Sequence, residues 1–170
     1  MCITGGIACG KSLLATYLNE LGVKTLDADD VAHELIPDPA ERRRIAKEVF
    51  SDPAKRKALE AKMHPFIREK LLSFDGVGII PLLFELHWEP EYDIICCIRS
   101  EKALQLKRMI DTRGYSREEA EARLAAQLPV DYKAAHSHYV IENNSTPEEL
   151  KLEARKLVTW LKNSMCLQIP

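Results

Sequence analysis

The chain has 170 residues, 46% of them hydrophobic and 29% charged, with a formal net charge of −2. That length holds one domain with a sizeable core, and the composition is that of an ordinary globular protein. The acidic balance gives no electrostatic case for nucleic acid or an anionic membrane as partner, so any phosphate binding must come from local groups.

In chain order, Cys2 and Ile3 lead a short buried strand. Gly5-Gly6-Ile7-Ala8-Cys9-Gly10-Lys11-Ser12 follows at once and fits G-x-x-x-x-G-K-[ST], the phosphate-binding P-loop. A helix comes next: Leu14, Tyr17, Leu18 and Leu21 recur at i, i+3, i+4 and i+7, and Gly22 stops it. The motif thus lies between strand and helix, the context that gives it meaning. Its glycines let the backbone wrap phosphate oxygens, and the amides of Ala8, Cys9, Gly10, Lys11, Ser12 and Leu13 turn inward at a helix N-terminus. Lys11 reaches the β- and γ-phosphates, and the Ser12 hydroxyl takes one position on Mg²⁺.

Val23 to Leu26 reads as a second strand, ending in Asp27-Ala28-Asp29-Asp30. Carboxylates at the C-terminal end of such a strand face the ligand crevice. Asp29 or Asp30 can cap the helix over Val31–Leu35, and one can cap while its neighbour meets the substrate. Asp38-Pro39 and Asp52-Pro53 open two further helices, the second through Lys62. Arg42, Arg43, Arg44, Lys55, Arg56 and Lys57 form a solvated face or a landing site for an anion. His64-Pro65 interrupts the pattern, with a restart at Pro65 through Leu72 that sets His64 and Arg68 one turn apart.

The run from Gly76 to Pro81 does not alternate, which suits a strand buried on both faces. Glu85 falls just beyond it. Tyr92–Ile98 is another buried strand, and Ser100 caps the helix that carries Leu104, Arg108 and Ile110. Gly114 breaks that helix, and Ser116-Arg117-Glu118-Glu119 is a capping box for the next, through about Leu128. The hairpin is rich in arginine. Arg108 and Arg113 suit a phosphate-clamping lid, while Arg117 and Arg123 belong to its solvated side. Asp131–His138 is a short helix, Tyr139–Ile141 a last strand, and Thr146-Pro147-Glu148-Glu149 opens a C-terminal helix, with a loose tail from Asn163. The five cysteines (2, 9, 96, 97 and 166) form no C-x-x-C pair and no zinc spacing. With no signal peptide and no run of membrane-spanning length, a reduced, cytoplasmic setting is expected.

Strand–helix alternation gives an α/β fold with a parallel sheet between helical layers, a three-layer P-loop NTPase. No Asn-Lys-x-Asp reads a guanine, and neither central strand ends in a Walker B aspartate. A small chain with an arginine-rich hairpin points instead to a small-molecule kinase.

In family order, the sequence then resembles the dephospho-CoA kinases. The matching pieces are Ile3–Ile7 with Gly10-Lys11-Ser12, Leu26-Asp27-Ala28-Asp29, Val49–Pro53, Leu59-Glu60 with His64-Pro65-x-Ile67-Arg68, and Pro81-Leu82-Leu83-Phe84-Glu85. Gln105–Arg108 with Arg113, Arg123 and Gln127 follows, then Ile141-Glu142-Asn143-Asn144. The resemblance implies ATP- and Mg²⁺-dependent phosphorylation of the ribose 3′-hydroxyl of dephospho-CoA. It implies Lys11, Asp29, Arg108 and Arg113 as catalytic, Asn143 near the adenine, and Asp29, His64, Arg68 and Glu85 on the acceptor side. It implies a core (1–30, 76–100, 137–163), a helical substrate-binding insertion (about 31–75), a lid (about 101–136), and a monomer or weak homo-oligomer. Ala8-Cys9 stands where the family carries Gly-Ser, and the stretch between Leu35 and Asp38 is shortened. Rival readings are a kinase for another acceptor, as in the adenylate or shikimate kinase classes, and a nucleotide-binding module without turnover.

Overall fold

The computed structural model describes residues 1–50 and 52–165, with backbone only at 46, 47, 50, 53, 56 and 165. The apolar runs form five short parallel strands: β1 (Cys2–Gly5), β2 (Thr25–Asp27), β3 (Val77–Ile79), β4 (Ile95–Arg99) and β5 (Tyr139–Glu142). Their order is β2-β3-β1-β4-β5. β1 is central, with Ile3 opposite Ile79 on one side and Cys96 on the other. The topology changes direction there, and ligands of open α/β sheets bind outside the carboxyl ends of the strands at such a point.

Alternate strand residues feed two cores. Ile3, Ile79, Cys96 and Ile98 pack with Leu14 and Leu18 of α1 (Lys11–Glu20) and with Leu150, Leu157 and Leu161 of α8 (Pro147–Met165). Cys2, Ile80 and Ile95 pack on the other side with Val31 of α2 (Ala28–Leu35) and Ile67 and Leu71 of α4 (Pro53–Ser73). Between α2 and α4 runs α3 (Pro39–Phe50). The hairpin of α5 (Lys102–Arg113) and α6 (Arg117–Ala125) rests on the P-loop through a cluster of Ala8, Met109 and Ala120. A short α7 (Val130–Ala135) leads back to β5.

The expected α/β/α architecture is therefore present, with differences in detail. The cap of α2 is Asp27, whose Oδ1 accepts from the Asp29 amide at 2.9 Å, and neither Asp29 nor Asp30 caps. β2 starts at Thr25, after a turn in which Val23 N bonds back to Leu18 O. Pro65 lies inside a continuous α4 and does not divide it. Its ring is exposed, so water can reach the carbonyl that loses its donor, while Ile67 and Leu71 anchor the next turn in the core. Ser100 does not cap α5. The N-cap is Glu101, without a side-chain bond, and the Ser100 hydroxyl is committed elsewhere. The last helix continues past Asn163 to Met165; Cys166 and the rest of the expected tail lie outside the described residues. Gly114 ends α5 at φ 68°, and the Ser116 capping box is closed on both sides.

Candidate active site

Turning sharply off β1 requires backbone that only glycine supplies. Gly5 sits at φ 145°, and a Cβ there would run into the Ile98 carbonyl of β4. Gly10 sits at φ 99° at the start of α1, and a Cβ there would strike the Asn143 amide. Between them Ala8 holds φ 57°, a left-handed conformation where an L-residue is strained.

The loop is fastened from beneath. Asn143, at the end of β5, donates from Nδ2 to the Cys9 carbonyl at 2.8 Å. The Arg108 guanidinium donates to the carbonyls of Ala8 (3.2 Å) and Asn143 (3.0 Å) and to the Ser100 hydroxyl (2.9 Å). Ser100 in turn donates to the Asn143 carbonyl at 2.7 Å. Gln105 donates to the Ile7 carbonyl, and Gln127 accepts from the Ile7 amide. Sequence reasoning missed Ser100 and Gln105 as loop supports, because a helix-start pattern has no way to report a partner 43 residues later, as for Ser100, or 98 residues earlier, as for Gln105.

Ala8, Gly10, Lys11, Ser12 and Leu13 border a cleft of about 570 Å³, together with Arg108, Arg113 and Asn143. The structure thus brings together the P-loop residues, Arg108 and Arg113 of the α5–α6 hairpin, and Asn143. Cys9 is the exception: its side chain is fully buried, and only its backbone belongs to the loop. Leu104, Thr112, Ser145 and Pro147 complete the cleft without having been singled out. Lys11 Nζ folds back onto the carbonyls of Gly5 (3.0 Å) and Gly6 (2.8 Å). Burial pulls its ammonium down to about 8, Lys133 adds to the depression, and the carboxylates of Asp27 and Asp29 oppose it. Asp27 is itself raised by burial, against the Asp29 amide that stabilises its charge.

A second cavity, of about 210 Å³ and mostly apolar, opens between α2, α4 and the segment after β3. Asp29, His64, Pro81 and Trp88 are among its walls. His64 stands edge-on to Trp88 with ring centroids 5.8 Å apart. Arg68 and Glu85, expected on the same side, do not line it. Arg68, one turn on from His64, faces out and is ion-paired with Glu91. Glu85 Oε1 is taken by the Leu128 amide at 3.0 Å and by Lys133 Nζ at 2.7 Å. Lys133, fully buried, was not anticipated. The signal was available: Val130, Lys133 and Ala134 share one face of a short helix, and a lysine among apolar neighbours needs a buried carboxylate.

Of the basic residues on α3 and α4, Arg42 caps the short connection after α2 by donating to the carbonyls of Ile36 and Pro37. Arg117 pairs with Glu121, and Arg123 covers the Tyr115 ring at 4.5 Å. Burial raises the thiols of Cys2 and Cys97 to about 12, which leaves them neutral. Among the described residues no helix is long and apolar enough to cross a membrane.

Comparison with known proteins gives the family and the fold. The model of the family "Dephospho-CoA kinase" matches residues 1–40 and 38–149. A dephospho-CoA kinase of Geobacter sulfurreducens is 35% identical over 191 aligned positions, covering 94% of this chain and 96% of the relative. The structure of dephospho-CoA kinase from Campylobacter jejuni superposes with a TM-score of 0.63 at 26% identity, covering 94% and 95% of the two chains. A shikimate kinase from Acinetobacter baumannii, in complex with shikimate, reaches a TM-score of 0.69 at 18% identity over 96% and 93%, a likeness of fold alone. The 191 aligned positions exceed the 170 residues of this chain by 21. The family match breaks at 38–40, beside the connection expected to be shortened.

Proposed function

The chain belongs to the dephospho-CoA kinase family and is an ATP-dependent kinase, and from that premise we propose how its residues divide the work. ATP occupies the larger cleft with its phosphates on the loop amides and Lys11, and its adenine near Asn143. Dephospho-CoA presents its ribose 3′-hydroxyl from the apolar cavity. Asp29 accepts the proton of that hydroxyl as its oxygen bonds to the γ-phosphorus and the bond to ADP breaks. Lys11 and Arg113 hold the charge that spreads over the transferring group, while Arg108 keeps the loop in shape and offers its remaining donor edge to the cleft. His64 packs against the acceptor. Arg68 and Glu85 act at one remove, through Glu91 and Lys133.

One observation carries this reading: Asp29 lines the acceptor cavity while its charge is felt by Lys11 of the phosphate cradle. Asp27 acts on Lys11 as well but does not line that cavity, so of the two carboxylates Asp29 is the one that faces the acceptor, where phosphoryl transfer needs one.

The Ser12 hydroxyl is a hard oxygen donor that suits Mg²⁺, which takes few protein groups alongside water and phosphate. Among the described residues no three His, Cys, Asp or Glu side chains gather into a dedicated metal cage, which fits an ion that arrives with the nucleotide. Mg²⁺ held by Ser12 supplies neutralisation of the β- and γ-phosphate charge.

On this reading α5 to α7 form the lid, α2 to α4 the acceptor-binding arm, and the rest the core. Both compartments are built from one chain, so the monomer suffices, and the free buried thiols suit the cytoplasm.

A coupled ADP-release assay with ATP and Mg²⁺ tests the proposal, run with dephospho-CoA, AMP, CMP, shikimate or no acceptor. Release with dephospho-CoA alone, and CoA confirmed by mass, is the expected result. Release with another acceptor replaces the substrate and keeps the chemistry. Bound ATP without release in any arm reduces the protein to a nucleotide-binding module.

A further inference from the structure

Lys133 is fully buried, yet it belongs to neither compartment's wall. Its ammonium donates to the Pro81 carbonyl at 2.8 Å and pairs with Glu85 Oε1 at 2.7 Å. The same oxygen accepts the Leu128 amide, and the residue before it, Gln127, holds the Ile7 amide of the P-loop at 3.1 Å. The Pro81 carbonyl also faces the Thr4 hydroxyl of β1 at 3.5 Å. Pro81 and Leu82 are walls of the acceptor cavity. Three chain segments that meet nowhere in sequence are thus tied at one point: the acceptor wall after β3, the segment returning from α6, and the P-loop.

Stability does not explain this arrangement. A buried ion pair loses in desolvation about what it gains in Coulomb attraction, and well-packed apolar residues of similar volume do as well or better. The pair is also incompletely satisfied, since Glu85 Oε2 is buried without a hydrogen-bond partner. What the pair does supply is fixed geometry, because Lys133 reaches its two acceptors only when Pro81 and Glu85 stand in one register with α7.

We infer that Lys133 and Glu85 are positioning residues for the acceptor, holding the Pro81–Leu82 wall in register with the phosphate cradle through the segment 127–133. The inference rests on the reading that the apolar cavity receives the acceptor. It assigns to the pair a loss that falls on one substrate only. Without it, ATP binds as before, the acceptor binds loosely, and its hydroxyl is less well aligned, so more ATP is lost to water.

The test compares wild type with Lys133→Met and with the double variant Lys133→Met/Glu85→Gln. The double variant carries no unpaired buried charge and keeps an oxygen for the Leu128 amide, so it remains readable if the single variant fails to fold. Acceptor binding is followed by fluorescence of Trp88, which lines the cavity, while Trp160 packs on Tyr139 outside it. ATP binding is followed with a fluorescent analogue, and ADP release is compared with CoA formed. The expected result is a raised acceptor Kd and KM and a kcat lowered by up to about 10²-fold, as for a misplaced reaction partner, with ATP affinity unchanged and more ADP released per CoA. Unchanged acceptor affinity in a folded variant overturns the inference. So does a joint loss of both affinities with a lowered Tm, which marks a purely structural pair. A wild type that neither binds nor phosphorylates dephospho-CoA overturns the functional reading first and removes this inference with it.

Discussion

The two compartments of this molecule are built by different means. The nucleotide side is made of backbone: a loop whose glycines hold left-handed angles, with its carbonyls pinned by Arg108, Asn143 and Gln105. The acceptor side is made of side chains on α2 and α4, and the arm carrying it leaves Phe66 at 61% and Leu72 at 45% exposed. The family match also breaks within that arm, at 38–40. Backbone geometry tolerates few alternatives, whereas an apolar wall can be rebuilt from many residues. The comparison therefore separates a rigid phosphate site from an adaptable acceptor site, and substitutions on the two sides should fail in different ways.

The largest effect belongs to Lys11→Ala. Removing the only ammonium among the described residues of the cradle's wall should lower kcat/KM by about 10³ or more, since charge on the transferring group loses its fixed counterpart. Circular dichroism and Tm should hardly change, because the two bonds that Lys11 gives to loop carbonyls are offset by the burial that disfavours its charged form. Near-normal kinetics would remove the phosphate role. Asp29→Asn comes next. It should leave ATP affinity intact and lower kcat by about 10²–10⁴, the usual worth of a positioned base. The α2 cap survives, because it uses the Asp29 backbone amide and the side chain of Asp27. Loss of helix content instead of turnover would make Asp29 a structural residue.

How far the two sides were legible in the sequence follows the same division. The P-loop, the strand order of events along the chain and most helix starts are local patterns, and Asp38, Asp52, Ser116 and Thr146 all cap where the sequence places them. Asp27, not Asp29 or Asp30, caps α2 because the helix starts at Ala28, directly after β2 and three residues before the expected Val31. Pro65 does not break α4, because burial of Ile67 and Leu71 outweighs one lost bond on an exposed turn. Ser100 gives up capping for Asn143, and Glu85 turns from the acceptor toward Lys133. The last two misses are tertiary partners 43 or more residues away in sequence, which no local pattern encodes, whereas the first two are shifts of local helix bounds decided by packing.

Two smaller predictions sharpen the contrast. His64→Ala should raise the acceptor KM about tenfold with little change for ATP, since it removes an aromatic contact with Trp88 from one compartment only. Equal losses for both substrates would mean that the compartments are not separable there. For wild type, ATP affinity should fall as pH rises through about 8, where the folded-state Lys11 gives up its proton. Between about 8 and the ordinary lysine value of 10.5 the unfolded chain keeps that proton, so this group makes the fold more stable with rising pH. Weakened ATP binding in that window should therefore come without a Lys11-driven loss of Tm. A constant ATP affinity up to pH 10 would contradict the depressed ammonium.

The smallest expected effect is the most exacting test of a backbone-built nucleotide side. Ala8 holds φ 57°, which costs an L-residue about 1–2 kcal/mol. Ala8→Gly relieves that strain, but it frees the unfolded chain by about 0.4–1 kcal/mol and strips a methyl from the small cluster with Met109 and Ala120. These contributions oppose one another, so Tm should move by no more than about 2–4 °C. ATP affinity should stay constant, because the Ala8 amide and the carbonyl bonded by Arg108 are already held in glycine-like geometry. Ala8→Val is the counterpart: a β-branched residue is a true outlier at positive φ, so the loop must open or the angle must change, and ATP affinity should fall while the acceptor Kd is spared. If Ala8→Gly altered ATP affinity as strongly as Ala8→Val, the loop would owe its shape to the alanine side chain rather than to the backbone and its supports, and the division between the two compartments would fail at its firmest point.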